Sequence, residues 1–166
     1  NTPLWLPQID WGGASPVYVE SEFPLFPYLL GQLYKLVGIH EWLGRGFSVI
    51  ASVLTIVVLI RLGEKLLDPI SGWWGGLFFA FMPLSVYYGR TFQAEALLLL
   101  LSALSMERLI AWKRGAGIVS LITSWAMFSL ACLIKVLPLF WLGLPLLVLL
   151  IQPKSLSNGS FPISNL

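Results

Sequence analysis

Five charged residues lie where charge is rare, at the ends of long apolar segments or in the loop before them. They comprise two carboxylates two positions apart, two cations in different apolar segments and a third carboxylate: Glu20, Glu22, Arg90, Lys135 and Glu95. An ionised side chain inside a bilayer costs roughly 2.5–3.5 kcal/mol on insertion scales, which makes Glu95 and Lys135 functional candidates by default. Carboxylates that face cations from other segments indicate a binding or catalytic site at a membrane interface.

Each of these residues also has a simpler interpretation. Glu95 can complement the positive end of a helix that begins with Thr91 as its N-cap. Arg90 and Lys135 can be interface anchors, whose long side chains reach from an apolar stem to water. The two loop carboxylates can be ordinary solvated charges. Residue types and spacing leave these alternatives open.

The composition decides the class of protein in which these charges lie. Of the 166 residues, 57% are hydrophobic and 11% are charged, and the mean hydropathy is +0.83. A soluble domain carries about 25% charged residues, so a soluble globular domain, a disordered tail and a nucleic-acid binder are excluded. The net charge of +2 is too small to imply an anionic partner, and the single Cys132 excludes a disulfide framework. The sequence therefore predicts an integral membrane protein.

The elements that must position the charges are helices, and the predicted fold is an all-α, polytopic transmembrane bundle. Charged residues divide the apolar sequence into five candidate spans of about the length that a bilayer requires, at about 45–62, 70–89, 91–112, 115–134 and 136–152. Three small residues within the second span, Gly72, Gly75 and Gly76, predict close helix packing there.

The segments before and after these spans have a different character. Residues 1–44 are predicted to form an extracytoplasmic loop, with an interfacial amphipathic helix near 24–37, because that segment is too short and too rich in proline to span. Residues 153–166 have the composition of a cytoplasmic linker.

The distribution of cations predicts the orientation. Five spans place six Lys and Arg residues on one side and four on the other, so residues 1–44 are expected outside the cytoplasm. Alternation of the spans then puts Glu20, Glu22, Arg90 and Lys135 on the same outer side, with Glu95 about one turn below. Because the chain starts at Asn1 without a signal segment, an upstream helix and a downstream half are expected to be missing.

Three segments in a fixed order carry a resemblance to a known family. They are EFPLFPYLLGQLYKLVG at Glu22–Gly38, RLGEKLLD at Arg61–Asp68 and PLSVYYGRTFQAEAL at Pro83–Leu97. An arginine that enters a span, Arg45, lies between the first segment and the second. In this order they resemble the N-terminal half of a bacterial membrane glycosyltransferase of the dolichyl-phosphate-mannose–protein mannosyltransferase type, in the GT-C superfamily. The resemblance covers about residues 15–150.

The resemblance implies a reaction and a place for it. Such enzymes transfer a sugar from a polyprenyl-phosphate carrier, with inversion, to an acceptor protein, lipid or glycan outside the cytoplasm. The implied location is the bacterial cytoplasmic membrane, and the present segment alone is expected to be inactive. The catalytic acid of the family lies in the large outer loop, where this sequence has Glu20-Ser21-Glu22 instead of the Asp-Glu pair or His-Pro-Pro often found there.

Roles for the five charged residues follow from that reaction. Either Glu20 or Glu22 would accept the proton of the acceptor, and Arg90 and Lys135 would bind the phosphate of the donor. Glu95 would orient Arg90 or help to bind a divalent cation, the one cofactor that the resemblance leaves open. The alternative from another class is a non-enzymatic membrane protein, such as a transporter or a structural subunit, in which Glu95 and Lys135 line a polar path.

Overall fold

The structure, a computed structural model, describes residues 8–9, 17–18, 24–91 and 93–151, the first two pairs by their backbone alone. The two pairs form a short antiparallel ribbon, β1 (Gln8–Ile9) and β2 (Val17–Tyr18), with Gln8 opposite Tyr18. All other regular structure in the described ranges is helical: α1 (Leu25–Val37), α2 (Glu41–Leu66), α3 (Pro69–Phe81), α4 (Pro83–Arg90), α5 (Glu95–Lys113), α6 (Ile118–Ile134), α7 (Leu137–Trp141) and α8 (Gly143–Ile151). The predicted all-α fold is confirmed.

The long helix α2 is the centre of the bundle. Its 26 residues would extend about 39 Å at 1.5 Å per residue, and it begins at Glu41, before the position 45 expected from the sequence. Among the described helices it alone is long and apolar enough to cross a membrane by length and composition, whereas Ile118–Ile134 is a shorter apolar helix. The five-span topology stays a prediction.

Two segments expected to be continuous helices are divided in the structure. The segment 70–89 breaks at Met82, whose ψ of 123° is extended, because Pro83 restricts the residue before it and cannot donate a backbone hydrogen bond. The segment 136–152 is divided after Trp141, the residue whose carbonyl would otherwise accept a hydrogen bond from position 145, a proline. As a result α4 is a separate helix of eight residues.

Glycines bring α2 and α3 into close contact. A Cβ atom at Gly72 would lie 2.6 Å from the carbonyl oxygen of Ile60, and one at Gly76 would overlap the Ile60 side chain. Because no real side chain fits at such distances, the close packing predicted at these two glycines is confirmed. The prediction for Gly75 is wrong, since a Cβ there would have no atom within 4 Å.

The antiparallel arrangement gives the bundle two ends. At one end, which we call the Arg90 end, α2 and α5 begin while α4 and α6 finish; at the other, the Lys65 end, α2 and α5 finish. The helix α1 packs on the Arg90 end, where Phe26 and Leu30 join a buried cluster with residues of α5 and α6: Leu97, Leu98, Leu101, Ala131 and Ile134. The rings of Phe26 and Phe47 also meet edge to face, 5.6 Å apart. This packing fixes α1 beside the predicted site.

Candidate functional site

A cleft of about 520 Å³ opens at the Arg90 end between α2 and α4. Its lining comprises Arg45, Val49, Tyr87, Arg90 and Thr91. Arg45 and Val49 are four residues apart in the first turns of α2, and Tyr87 and Arg90 are three residues apart at the end of α4, so each pair shares one helix face. Two arginines from different helices therefore border the same space.

The electrostatics of the cleft favour an anion. Both arginines are exposed, and no carboxylate of the described ranges forms an ion pair with either. A guanidinium group presents several N–H donors in a planar fork, which suits the oxygens of a carboxylate or phosphate. Two like charges that border one cleft are electrostatically compatible with a bound anion. An apolar wall formed by Val49 and the Tyr87 ring completes the cleft.

Arg45 lines the cleft, although sequence reasoning gave it no part in the candidate site. Its position at the start of the first candidate span is explained by an anchoring role alone. The available signal was its position at the same predicted membrane boundary as Arg90. That signal predicts that the two arginines lie at the same depth in the membrane, but it does not predict that α2 and α4 are neighbours.

Lys135 and Glu95 form an ion pair at the same end of the bundle. Lys135 follows the last residue of α6, and its Nζ atom donates to Oε1 of Glu95 in the first turn of α5. Their side chains are 26% and 23% exposed. The first turn of a helix also favours a carboxylate through the helix dipole. In the structure, the ion-pair partner of Glu95 is therefore Lys135, whereas the sequence predicted that Glu95 orients Arg90 or helps to bind a divalent cation.

The predicted N-cap next to this pair differs from the observed one. Helix α5 begins at Glu95, with Ala94 as its N-cap, and no side chain caps it. Thr91 follows α4 instead, and its hydroxyl donates to the carbonyl oxygen of Tyr88 at 3.1 Å. Thr91 therefore belongs to the wall of the cleft and not to the start of α5.

The two candidate catalytic carboxylates, Glu20 and Glu22, lie outside the described residues. The description resumes at Pro24, which directly precedes α1 on the Arg90 end. In the part of the chain that is described, no group of three or more His, Cys, Asp or Glu side chains could hold a metal ion.

The Lys65 end holds a second group of charges. Lys65 donates to Oε1 of Glu107, a carboxylate only 3% exposed, and Nε of Arg108 lies 2.8 Å from the Oε2 atom of Glu107. Arg114 donates to the carbonyl oxygen of Lys65 near the end of α2. These cations have protein partners, so this end has the character of a structural contact between α2 and α5.

One model of a known protein family matches most of the chain. The matching family model is described as dolichyl-phosphate-mannose-protein mannosyltransferase and covers residues 21–162. It includes both cleft arginines, the Lys135–Glu95 pair and Glu22. No curated protein and no solved structure matches the chain. The chain belongs to the dolichyl-phosphate-mannose-protein mannosyltransferase family, and with it to the membrane glycosyltransferases of the mannosyltransferase type.

Proposed function

We propose that this protein transfers a sugar from a polyprenyl-phosphate donor to an acceptor outside the cytoplasm, with inversion at the anomeric carbon. The observation that carries the proposal is the cleft in which Arg45 and Arg90 face the same space. Family membership supports the reaction class, and it favours a transferase over a transporter or structural subunit.

The cleft has the chemistry that the leaving group of this reaction requires. When the sugar is transferred, the bond between the anomeric carbon and the phosphate oxygen breaks, and the electron pair leaves with polyprenyl phosphate. This group is already anionic, so it needs cations and no proton. Arg45 and Arg90 can hold its oxygens through paired N–H donors. Lys135, paired with Glu95 at the same end, supplies a further cation whose position Glu95 holds.

The acceptor requires the opposite chemistry. A hydroxyl oxygen of the acceptor attacks the anomeric carbon from the side opposite the phosphate, and its proton passes to a carboxylate acting as general base. A single displacement of this kind inverts the anomeric configuration. We assign the base to Glu20 or Glu22. The support is the place of their loop, since the family that the chain resembles has its catalytic acid in the outer loop, together with the packing of α1, which directly follows that loop, on the Arg90 end.

A site at a membrane boundary suits a donor with two different parts. The polyprenyl chain remains in lipid, where the exposed apolar residues of α2 and α4 lie, while the phosphate and sugar meet water and acceptor. Val49 and Tyr87 provide such an apolar wall beside the two arginines. We place this boundary on the outer face of the bacterial cytoplasmic membrane, on the strength of the cation distribution along the chain.

The test is sugar transfer by membranes that contain the complete gene product, with radiolabelled polyprenyl-phosphate-mannose as the donor. Loss of a general base costs about 10²–10⁴-fold in rate, so one of Glu20→Gln and Glu22→Gln should lose transfer by that factor. The double variant Arg45→Ala/Arg90→Ala should raise the KM for the donor at least about tenfold, which corresponds to about 1.4 kcal/mol.

The matched control is Arg61→Ala, which removes an exposed arginine from the opposite half of α2. It should leave the KM for the donor unchanged. Transfer retained by both glutamate variants would rule out the base assignment. An unchanged KM in the double arginine variant would rule out the phosphate site.

A further inference from the structure

The cleft lies next to an unusually close contact between α4 and α2. A Cβ atom added at Gly89 would lie 2.7 Å from Oγ of Ser52 and 3.2 Å from its Cβ atom. Gly89 is buried and is the residue immediately before Arg90. Only a glycine allows the two helices to approach this closely without a shift of the neighbouring atoms.

The register of α2 connects this contact to the cleft. Ser52 is seven residues after Arg45 and three after Val49, so all three residues share one face of the helix. Gly89 and Arg90 are adjacent on α4. The contact therefore lies beside Arg90 on α4 and about two helical turns from Arg45 on α2.

The break before α4 makes this contact important for position. Because Pro83 interrupts the helix, α4 does not continue α3 as one rigid rod. The orientation of the eight residues of α4 then depends on what they touch from the side. At the Arg90 end of α4, one such contact is the close approach of Gly89 to Ser52.

We propose that Gly89 and Ser52 are positioning residues, whose close approach holds Arg90 at the distance from Arg45 at which both bind one phosphate group. The inference rests on the proposed function, because it assigns a role within that phosphate site. A methyl group at position 89 would push α4 away from α2 and widen the cleft. The phosphate would then contact one guanidinium group well and the other poorly.

The experiment measures binding and turnover separately in the complete gene product. Farnesyl phosphate in detergent micelles is the binding probe, and polyprenyl-phosphate-mannose is the substrate. Gly89→Ala should raise the Kd for farnesyl phosphate and the KM for the donor about tenfold, equivalent to about 1.4 kcal/mol. The kcat should change much less, because the phosphate contacts exist before and during the transfer.

A second-site change distinguishes positioning from a general packing defect. Ser52→Gly removes both atoms that the new methyl group would meet, so Gly89→Ala/Ser52→Gly should return Kd and KM to within about twofold of the parent, since contacting residues are not additive. Ser52→Ala leaves its Cβ atom 3.2 Å away and should restore them only in part. If Gly89→Ala does not fold, Ser52→Thr enlarges the same contact from the other side and should raise Kd in the same direction.

The matched control is Gly75→Ala on α3. It gives the same gain in helix propensity, about 1 kcal/mol, but its Cβ atom has no neighbour within 4 Å. Its Kd and KM should equal those of the parent. Equal binding by the parent, Gly89→Ala and Ser52→Thr would overturn the inference, as would a folded Gly89→Ala variant that Ser52→Gly fails to restore.

These failures are distinct from failure of the proposed function. If Arg45→Ala/Arg90→Ala binds farnesyl phosphate as well as the parent does, the cleft is not the phosphate site, and both the site and the inference fall. If that double variant loses binding while Gly89→Ala keeps it, only the positioning role is overturned.

Discussion

The two ends of the bundle both hold cations, but they use them differently. At the Lys65 end, Lys65 donates to Glu107, Lys113 to the carbonyl oxygen of Leu150 at 3.2 Å, and Arg114 to the carbonyl oxygen of Lys65. At the Arg90 end, Arg45 and Arg90 line an open cleft and have no ion-pair partner among the residues described.

Carbonyl groups at helix ends account for some of the partners at the Lys65 end. Helices α2, α5 and α8 finish at the Lys65 end, where carbonyl groups without intrahelical partners and the negative ends of the helix dipoles attract cations. Lys113 and Arg114 satisfy carbonyl oxygens of α8 and α2 in this way. Cations of this kind stabilise the fold, and those of the cleft remain available to a ligand.

The two ion pairs between helices show the same contrast. Glu107 is 3% exposed, whereas Glu95 and Lys135 are each about a quarter exposed. A buried carboxylate depends strongly on its partner because water cannot replace it. A partly exposed pair contributes less to stability and can exchange partners with a ligand at lower cost.

The largest expected effect is a loss of folding stability when the ion pair at the Lys65 end is broken. Lys65→Met leaves the buried Glu107 with the neighbouring Arg108 alone, and the free energy of unfolding should fall by about 2–3 kcal/mol. Thermal unfolding in detergent measures it. Lys65→Met/Glu107→Leu removes both charges and should recover most of the loss. A changed KM for the donor in a folded Lys65→Met variant would contradict the division between the two ends.

Removing the cation of the ion pair at the Arg90 end should cost less stability, and more activity, than the change at the Lys65 end. Lys135→Met should lower the free energy of unfolding by about 1 kcal/mol or less, because the Lys135–Glu95 pair is partly exposed. Donor transfer should fall at least about tenfold, because a hydrogen bond to a charged group contributes about 1.5–3 kcal/mol. Unfolding and transfer assays on the same preparation measure both. Lys135→Arg, which keeps the charge, is the control, and unchanged transfer by Lys135→Met would remove Lys135 from the site.

The smallest effect concerns a helix cap at the Lys65 end. Asp68 is the N-cap of α3 and accepts two hydrogen bonds from Ser71. The bond from the backbone N–H of Ser71, and to a smaller extent the bond from its hydroxyl, lower the pKa of Asp68 below the ordinary 3.8. A carboxylate with a depressed pKa stabilises the folded state above its unfolded pKa, and this contribution is lost as the pH falls through the folded pKa.

Asp68→Asn keeps a capping oxygen but cannot titrate. The parent should therefore be the more stable protein near neutral pH, and this advantage should shrink in acid. Unfolding midpoints of both proteins across the acid range measure it. A constant difference at every pH would show that the carboxylate charge contributes nothing to the cap.

Local sequence signals predicted some of these features and missed others. The apolar runs indicated helices, and the small residues Gly72 and Gly76 indicated a close contact that the structure contains. The same signal failed at Gly75, because composition does not say which face of α3 meets α2. The breaks at Met82 and after Trp141 do not follow from hydropathy, because the apolar runs continue across the prolines beside them.

The partners of the charged residues were the hardest to predict. Arg45 and Arg90 are 45 positions apart and share a cleft, while Lys135 pairs with Glu95 across 40 positions. Helical periodicity places each residue on a face of its own helix, but it says nothing about how two helices rotate against each other. Charge at a common membrane boundary therefore indicated a shared end of the bundle and not a shared contact.

By itself, the sequence determined that this is a helical membrane protein and, through its ordered motifs, to which family it belongs. Apolar runs require burial or lipid, and charges interrupt them where helices must end, so these properties follow from local composition. Only the tertiary structure decided that Arg45 and Arg90 line the same cleft and that Lys135 forms an ion pair with Glu95. The first of these depends on how α4, which begins after the break at Met82, packs against α2, where Gly89 closely approaches Ser52. The second depends on how α6 packs against α5.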